Sequence, residues 1–463
     1  MNDWVNAEQH AERARTFYQN GEWDKALSEL SRAIALNPEQ GEWHFGMGLT
    51  LDALHRYAEA VGSYEESLRL RGDDPEVMMH IGIDLIHLGR HHEAIDSLER
   101  CNKINPQFEP GYCFRVAAYT HLGNHDKAEE MFYLARQIQD ECPACFDHLA
   151  HSLEARGQID KAIWCWQQTL RLASDHSDVR ASLGHAHWRR GQLERANVLF
   201  EQQLTHHPDD LSTRLRLGRL QMEMERFAEA ARTFRSVIDV NPKIAEAHDH
   251  LGELALKAGH YEEAASECEM AAQLNSDLTG IHHRWAVAEL HRGRLDRARP
   301  LLAIELDKPD HTPGEAIDIS RTLMDLGMMI EAIALLSRVV EESDIAPRIR
   351  IGEIDKSADA SRQSKALATV LLHRGYAFLV TGRRKAGILD CRQAMKLLPS
   401  NALTLHNLAL AYVEEGQLRR ASYYHRLAAA LRPKDPMIKR LGHRIRRLKA
   451  AAWFAKMWKR IGG

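Results

Sequence analysis

Nowhere in the 463 residues does an uninterrupted apolar run approach about 18, so no membrane-spanning helix is expected. The opening segment MNDWVNAEQHAERARTF holds no apolar stretch of the kind secretory leaders carry, which predicts no such leader. Cysteine is scarce: seven residues, an odd number, scattered along the chain. That predicts free thiols in a reducing, cytoplasmic setting. Neither charge sign dominates, with 61 Lys+Arg against 65 Asp+Glu and a net charge of −4. Apolar residues make up 44%, which excludes a disordered or collagen-like chain. β-strand signals are missing at any regular spacing. So are HExxH, GxxxxGK[ST] and any local Ser-His-Asp or Cys-His motif.

What the chain has instead is a period of 34 residues. Alanine stands at Ala26, Ala60, Ala94, Ala128, Ala162, Ala196, Ala230, Ala264, Ala298 and Ala332, without a break. A second ladder runs in register: Ala14, Gly48, Gly82, Val116, Ala150, Gly184, Gly218, Gly252, Ala286 and Ser320. A third holds Gly21, Gly89, Gly123, Gly157, Gly191, Gly259, Gly293 and Gly327. Two more repeats follow a gap, marked by Gly375, Gly382 and Gly387, then by Ala409, Gly416 and Ala421.

Each repeat reads as two helices. The first carries the second ladder in its interior, where glycine costs roughly 1 kcal/mol against alanine. Something must therefore approach that face too closely for a methyl group, and a neighbouring helix backbone is the expected neighbour. The third ladder marks the C-cap, where φ is positive. The second helix repeats apolar residues at helical spacing, as in Ala26, Leu30, Ala33 and Leu36. It often stops at a proline: Pro38, Pro106, Pro208, Pro242, Pro399 or Pro433.

These residues resemble the tetratricopeptide repeat (TPR) pattern of a small residue at position 8, Gly or a polar residue near 15, an aromatic near 17, Ala at 20, a large apolar residue at 24, Ala at 27 and Pro at 32. Repeat 7–40 matches with Ala14, Gly21, Trp23, Ala26, Leu30, Ala33 and Pro38. Repeat 75–108 matches with Gly82, Gly89, Ala94, Leu98 and Pro106, and repeat 211–244 with Gly218, Phe227, Ala230, Phe234 and Pro242. Val116, Ser320, Pro300 and Gly387 depart from it. The resemblance implies an all-α, right-handed superhelical solenoid of about twelve TPR helical hairpins with a C-terminal capping helix. The expected layout is a lead-in at 1–6, ten contiguous repeats over 7–346, an irregular connection at 347–367, two repeats over 368–435 and a basic amphipathic helix over 436–463.

Twelve repeats of 34 take 408 of the 463 residues. None of the three leftover segments has room for a catalytic domain, so no enzyme activity and no cofactor is expected. The functional expectation is a scaffold or adaptor that binds a protein or peptide segment in a concave groove. By resemblance, positions 2, 5, 6, 9, 12 and 13 of each repeat face that groove. Repeats two to four then present Phe45, Leu49, Met79, Ile83, Ile86 and Phe114. Repeats five and six present His148, His151, Glu154, His185, Trp188 and Arg189, and repeats seven to ten add Arg216, Arg219, Glu253, Arg284 and Arg321 beside Asp249 and Asp318. An apolar stripe in a solvent-facing groove marks a binding surface. The carboxylate clamp that binds chaperone C-termini needs Lys at position 5 and Asn at position 9. Here those positions hold Ala11 and Arg15, or Leu372 and Tyr376, so a chaperone of that kind is not the expected partner.

A CxxC stands at Cys142 and Cys145. Two thiolates are half of what a structural zinc site needs. Cys113, Cys165, His148 and His151 could complete one only if the fold gathers them. The plainer expectation is that cysteines fill packing positions, as at Cys101, Cys268 and Cys391, and that no metal is bound. The paired histidines, such as His91-His92, point about 100° apart on a helix and suit no shared metal.

Two segments fall outside the repeats. Residues 347–367 are rich in Ser, Asp and Lys and read as an exposed connection, a hinge or a lengthened loop with a helical end. Residues 436–463 hold nine Lys/Arg and no Asp or Glu. There Ile438, Leu441, Ile445 and Leu448 form a stripe suited to capping the last repeat. The segment from Arg447 onward differs: Arg447, Lys449, Trp453, Lys456, Trp458, Lys459 and Arg460 suit an anionic membrane surface or nucleic acid.

Overall fold

The computed structural model of the chain describes residues 2–176, 178–309, 311–342 and 358–461, with side chains at 2–4, 358–362, 456 and 459–461 outside the description. Among the described residues all regular structure is helical: twenty-five helices, as twelve pairs followed by one long helix. The chain divides into two compact bodies, Met1–Thr233 and Phe234–Gly463, with the division inside the helix Phe227–Val240. In the N-terminal body the pairs begin with Asn2–Gln19 and Trp23–Leu36 and run in register through Val179–Arg189 and Leu193–His206. In the C-terminal body they run from Ala245–Ala258 and Tyr261–Leu274 to Ala402–Glu414 and Leu418–Leu431.

The alanine ladder is the packing seam. All ten of its members, from Ala26 to Ala332, are fully buried. The second ladder answers to a different neighbour from the one expected. A Cβ added at Gly82 would lie 2.6 Å from the Leu98 side chain, and one at Gly184 2.8 Å from the Phe200 ring. Position 24 of the second helix, a large side chain, thus lies over position 8 of the first, within one hairpin. The close approach is by a side chain, not by a neighbouring helix backbone. The burial gained by Leu98 or Phe200, about 2 kcal/mol each, outweighs the propensity cost of the glycine.

The turn glycines have the positive φ that a left-handed C-cap requires, as at Gly89 (72°) and Gly123 (70°). Repeats two and seven have no glycine there, yet keep the turn: His55 and Glu225 hold φ of 57° and 59°. Pro300 lies inside the helix Leu295–Leu306 without ending it, on the exposed side. Of the two alternatives for 347–367, a hinge or a lengthened loop with a helical end, the described part matches the helical end. Residues 358–367 already belong to the helix Ala358–Val380, while 347–357 lie outside the described residues. The stretch ADASRQSKAL has neither Gly nor Pro to stop a helix, and Leu367 and Ala368 are buried at its inner end.

The final helix, Pro436–Ile461, caps the last repeat. Ile438 packs beside Ala402, Leu405 and Ala428, and Leu441 and Ile445 beside Leu408, Tyr412 and Ala421. Gly442 lets the helix approach closely, since a Cβ there would sit 2.5 Å from His425 Nε2. The stripe ends one turn sooner than its periodicity suggested. Leu448 is exposed because the last pair of helices no longer lies beneath it.

Candidate functional site

The first helices of repeats two to seven position the side chains expected to face a partner. None of the apolar set stands free. Phe45, Leu49 and Ile86 are half-buried and lean on the main core of the N-terminal body. Phe45 lies 5.8 Å from both the Tyr64 ring and the His80 ring. Met79, Ile83 and Phe114 are half-buried as well, Phe114 with its ring 5.7 Å from His148. Burial holds His148 down at about 4, so it is neutral at physiological pH. His151 is exposed, 3.5 Å from Asp147 and edge-on to the Trp166 ring at 5.3 Å.

Farther along, three successive first helices share a polar and aromatic ladder. On Pro143–Ala155, Glu154 faces His185 at 3.2 Å and Arg189 at 3.3 Å, both on Val179–Arg189. The hydrogen bond with His185 comes first among the influences that hold the Glu154 carboxyl below its ordinary value. Trp188 donates from Nε1 to Glu223, one helix on, and the Arg219 guanidinium lies 5.8 Å from the Trp188 ring. Glu223 is the member that sequence reasoning missed. Only its register, 35 residues after Trp188, could have pointed to it.

Three of the seven cysteines meet in a different place. The N-terminal ends of the helices Glu109–His121 and Pro143–Ala155 bring together Glu109, Cys113, Cys142 and Cys145. All four are buried, and their donor atoms lie within 4.8 Å of one another. Glu109 and Cys113 are one helical turn apart on one face. Cys142 is the N-cap of the next first helix, and its Sγ accepts the backbone N–H of Cys145 at 3.4 Å. The Cys145 thiol donates to Glu109 Oε1 at 2.9 Å. Cys165, His148 and His151 do not join the group. Four acids in one pocket cannot all be charged. Burial pushes Glu109 up to about 7. The thiols neighbouring Cys142, Cys113 first, hold it well below the ordinary thiol value; Cys142 in turn pushes Cys113 up, and Cys113 with Cys142 pushes Cys145 up.

The tail is bare beyond its capping half. Arg447 and Lys449 are exposed, and so are Trp453, Phe454 and Trp458, the last at 80%. The side chains of Lys456, Lys459 and Arg460 lie outside the described residues. Among the described residues no helix is long and apolar enough to cross a membrane.

Comparison with known proteins bears on the repeats. A model of the tetratricopeptide repeat matches residues 12–75, 46–106, 149–204 and 215–278. No curated protein matches the chain. Among solved structures the chain is similar to the APC/C hetero-tetramer Cut9–Hcn1, at 16% identity and a TM-score of 0.46, with 95% of this chain and 96% of that chain covered. It is also similar to a thermophilic TPR protein of Thermus thermophilus, at 21% identity, TM-score 0.37 and 39% and 99% coverage. A third is YrrB, a TPR protein with an unusual peptide-binding site, at 18% identity, TM-score 0.31 and 36% and 86% coverage. With matches over four stretches and helical pairs that keep the same register, the chain belongs to the tetratricopeptide repeat family.

Proposed function

We propose that the chain is a non-catalytic scaffold that holds a protein or peptide segment along the first helices of repeats two to seven. One observation supports this most directly. Consecutive first helices offer half-buried aromatic and apolar side chains, Phe45 to Phe114, continued by the ladder of Glu154, His185, Arg189, Trp188, Glu223 and Arg219. Apolar anchors with fixed polar groups are what a groove needs to hold an extended segment in one register. Such a scaffold would serve a complex, a non-catalytic subunit of an enzyme assembly included, in the reducing setting that seven free thiols suit. The partner's segment, once found by cross-linking and mass spectrometry, can be titrated by fluorescence anisotropy. Trp188→Ala is expected to weaken binding about 30-fold, the size of a central aromatic anchor. Unchanged affinity for both Trp188→Ala and Phe45→Ala would refute the assignment.

The exposed tryptophans of the tail favour a second reading, in which the tail brings the scaffold to an anionic membrane or to nucleic acid. Each basic residue near an anionic surface contributes about 1 kcal/mol. Co-sedimentation with phosphatidylserine vesicles and RNA gel shifts are expected to turn negative on deletion of 449–463. Binding that survives the deletion would rule the tail out.

A further inference from the structure

We propose that Glu109, Cys113, Cys142 and Cys145 form a zinc site that staples the fourth repeat to the fifth. Four independent observations converge on it.

The spacing fits one ion. Tetrahedral zinc, with Zn–S of about 2.3 Å and Zn–O of about 2.0 Å, sets its donors roughly 3.5–3.8 Å apart. Here all donor atoms already lie within 4.8 Å of one another. Small side-chain rotations close the remaining gap. An iron–sulfur cluster places iron and sulfide between its thiolates and needs a wider cage.

The donor set is closed, as structural zinc sites are. Glu109, Cys113, Cys142 and Cys145 are 7%, 2%, 8% and 1% exposed. Four protein ligands fill the coordination sphere and leave no position for substrate, so the role is structural.

Glu109 is what packing alone does not explain. A thiol can fill a gap as a small apolar group, and the remaining cysteines do so: Cys101, Cys165, Cys268 and Cys391 are buried and join no comparable group among the described residues. A buried carboxyl costs free energy unless it is paired. Glu109 hydrogen-bonds a thiol instead of a base. The same repeat position holds Gly41, Pro75, Pro143, Leu211, Ala245 and Pro313 elsewhere, so the fold itself asks for no acid there.

The scaffold presents the donors ready-made. Glu109 and Cys113 project from one face of a helix. Cys142 and Cys145 bracket the start of the next, where backbone N–H groups and the helix dipole favour a thiolate. Both helices are packed independently by their own repeats, so the site needs no ion to bring its elements near each other. Loading would displace the thiol protons and whatever proton Glu109 carries. It would also couple two neighbours in an array whose cooperativity depends on nearest-neighbour contacts.

The test uses the full chain, expressed with added zinc and purified under reducing conditions. Elemental analysis is expected to find about one zinc per chain, released by a thiol-directed mercurial. Co2+ in its place is expected to give a thiolate charge-transfer band and the visible absorption of tetrahedral Co2+. Cys145→Ser and Glu109→Gln should each weaken zinc retention at least tenfold against a competing chelator, while Cys165→Ser leaves it unchanged. Chelation should lower the melting temperature by about 5 °C or more, since site binding adds to folding stability. If Cys145→Ser does not fold, the Co2+ spectrum of the wild type and the Glu109→Gln chain still decide. Folded wild-type chain that retains no zinc and gives no tetrahedral Co2+ spectrum overturns the proposal. So does equal retention in Glu109→Gln and wild type, or a Cys142–Cys145 disulfide formed in place of metal under reducing purification.

Discussion

Two fully buried carboxyls, Glu305 in one body of the chain and Asp84 in the other, are accommodated in opposite ways. In Phe234–Gly463, Glu305 is fully buried but surrounded: the Gly280 N–H donates to it at 2.6 Å, and Lys308, His311 and His282 stand 3.3, 3.5 and 3.6 Å away. Burial alone would push it up. The nearby His282 ring, the Gly280 N–H and the Lys308 charge outweigh that and hold it at about 2. Asp249 is likewise bracketed by the Arg284 guanidinium at 2.6 and 2.7 Å. In Met1–Thr233, Asp84 is fully buried beside Asp52, and burial with that like charge pushes it up to about 8. Glu109 sits among thiols. Glu305 is thus neutralised by base, and Asp84 by a proton. The helices around Asp84 and around Glu305 should therefore loosen at opposite ends of the pH scale.

The largest expected effect breaks the paired side. Glu305→Ala leaves Lys308, His282 and His311 facing an empty pocket and should cost about 3–5 kcal/mol, read as a lower urea midpoint for the C-terminal transition. Next comes the pH dependence. The raised pKa of Asp84 means that the native state binds the extra proton between about pH 4 and pH 8. Its stability contribution is full below pH 4 and lost as pH rises to 8. The depressed pKa of Glu305 acts in the other direction: its contribution is full above the ordinary carboxylate value and lost as pH falls toward 2. Hydrogen exchange resolved by peptide should show 75–104 loosening from pH 5 to 8 and 281–306 loosening only in acid. Asp84→Asn should stabilise the chain at pH 8 by roughly 2 kcal/mol and flatten the first profile. If its melting temperature at pH 8 falls instead, the protonated-acid reading is wrong. The smallest effect sharpens the comparison inside the N-terminal body. His55→Gly and Glu225→Gly relieve left-handed residues and should each raise stability by about 0.5–1 kcal/mol in thermal melts.

The repeat register was legible because three ladders of small residues must recur wherever a hairpin packs on itself. Its mechanism was only half legible. The gap at Gly184 was visible, but the sequence could not say that Phe200 fills it, since that depends on how two helices cross. The capping stripe was readable as far as Ile445; periodicity alone could not tell that the core stops before Leu448. The thiol group shows the same boundary. Cys142 and Cys145 announced themselves by spacing. Glu109 did not, because an acidic residue in the first turn of a helix is ordinary dipole chemistry. Only the repeat register places Glu109 and Cys113 beside the start of the following first helix. The ladder through Glu154, Trp188 and Glu223 was likewise hidden until consecutive helices were laid side by side.

The final helix also has a mechanical consequence. A free helix of its outer length would be marginal in water. Here the buried turns from Ile438 to Ile445 have already supplied the nucleus, so the exposed turns add residues to an existing helix. With a rise of about 1.5 Å per residue, Trp458 stands roughly 20 Å from Ile445 along the axis. The end of the chain is thus a stiff outrigger, a spacer whose length is counted in helical turns. Whatever engages Trp453 and Trp458 is held at a set distance and azimuth from the last repeat. Adding or removing two residues within 446–452 would swing both indole rings about 200° around that axis without changing a single contact of the cap.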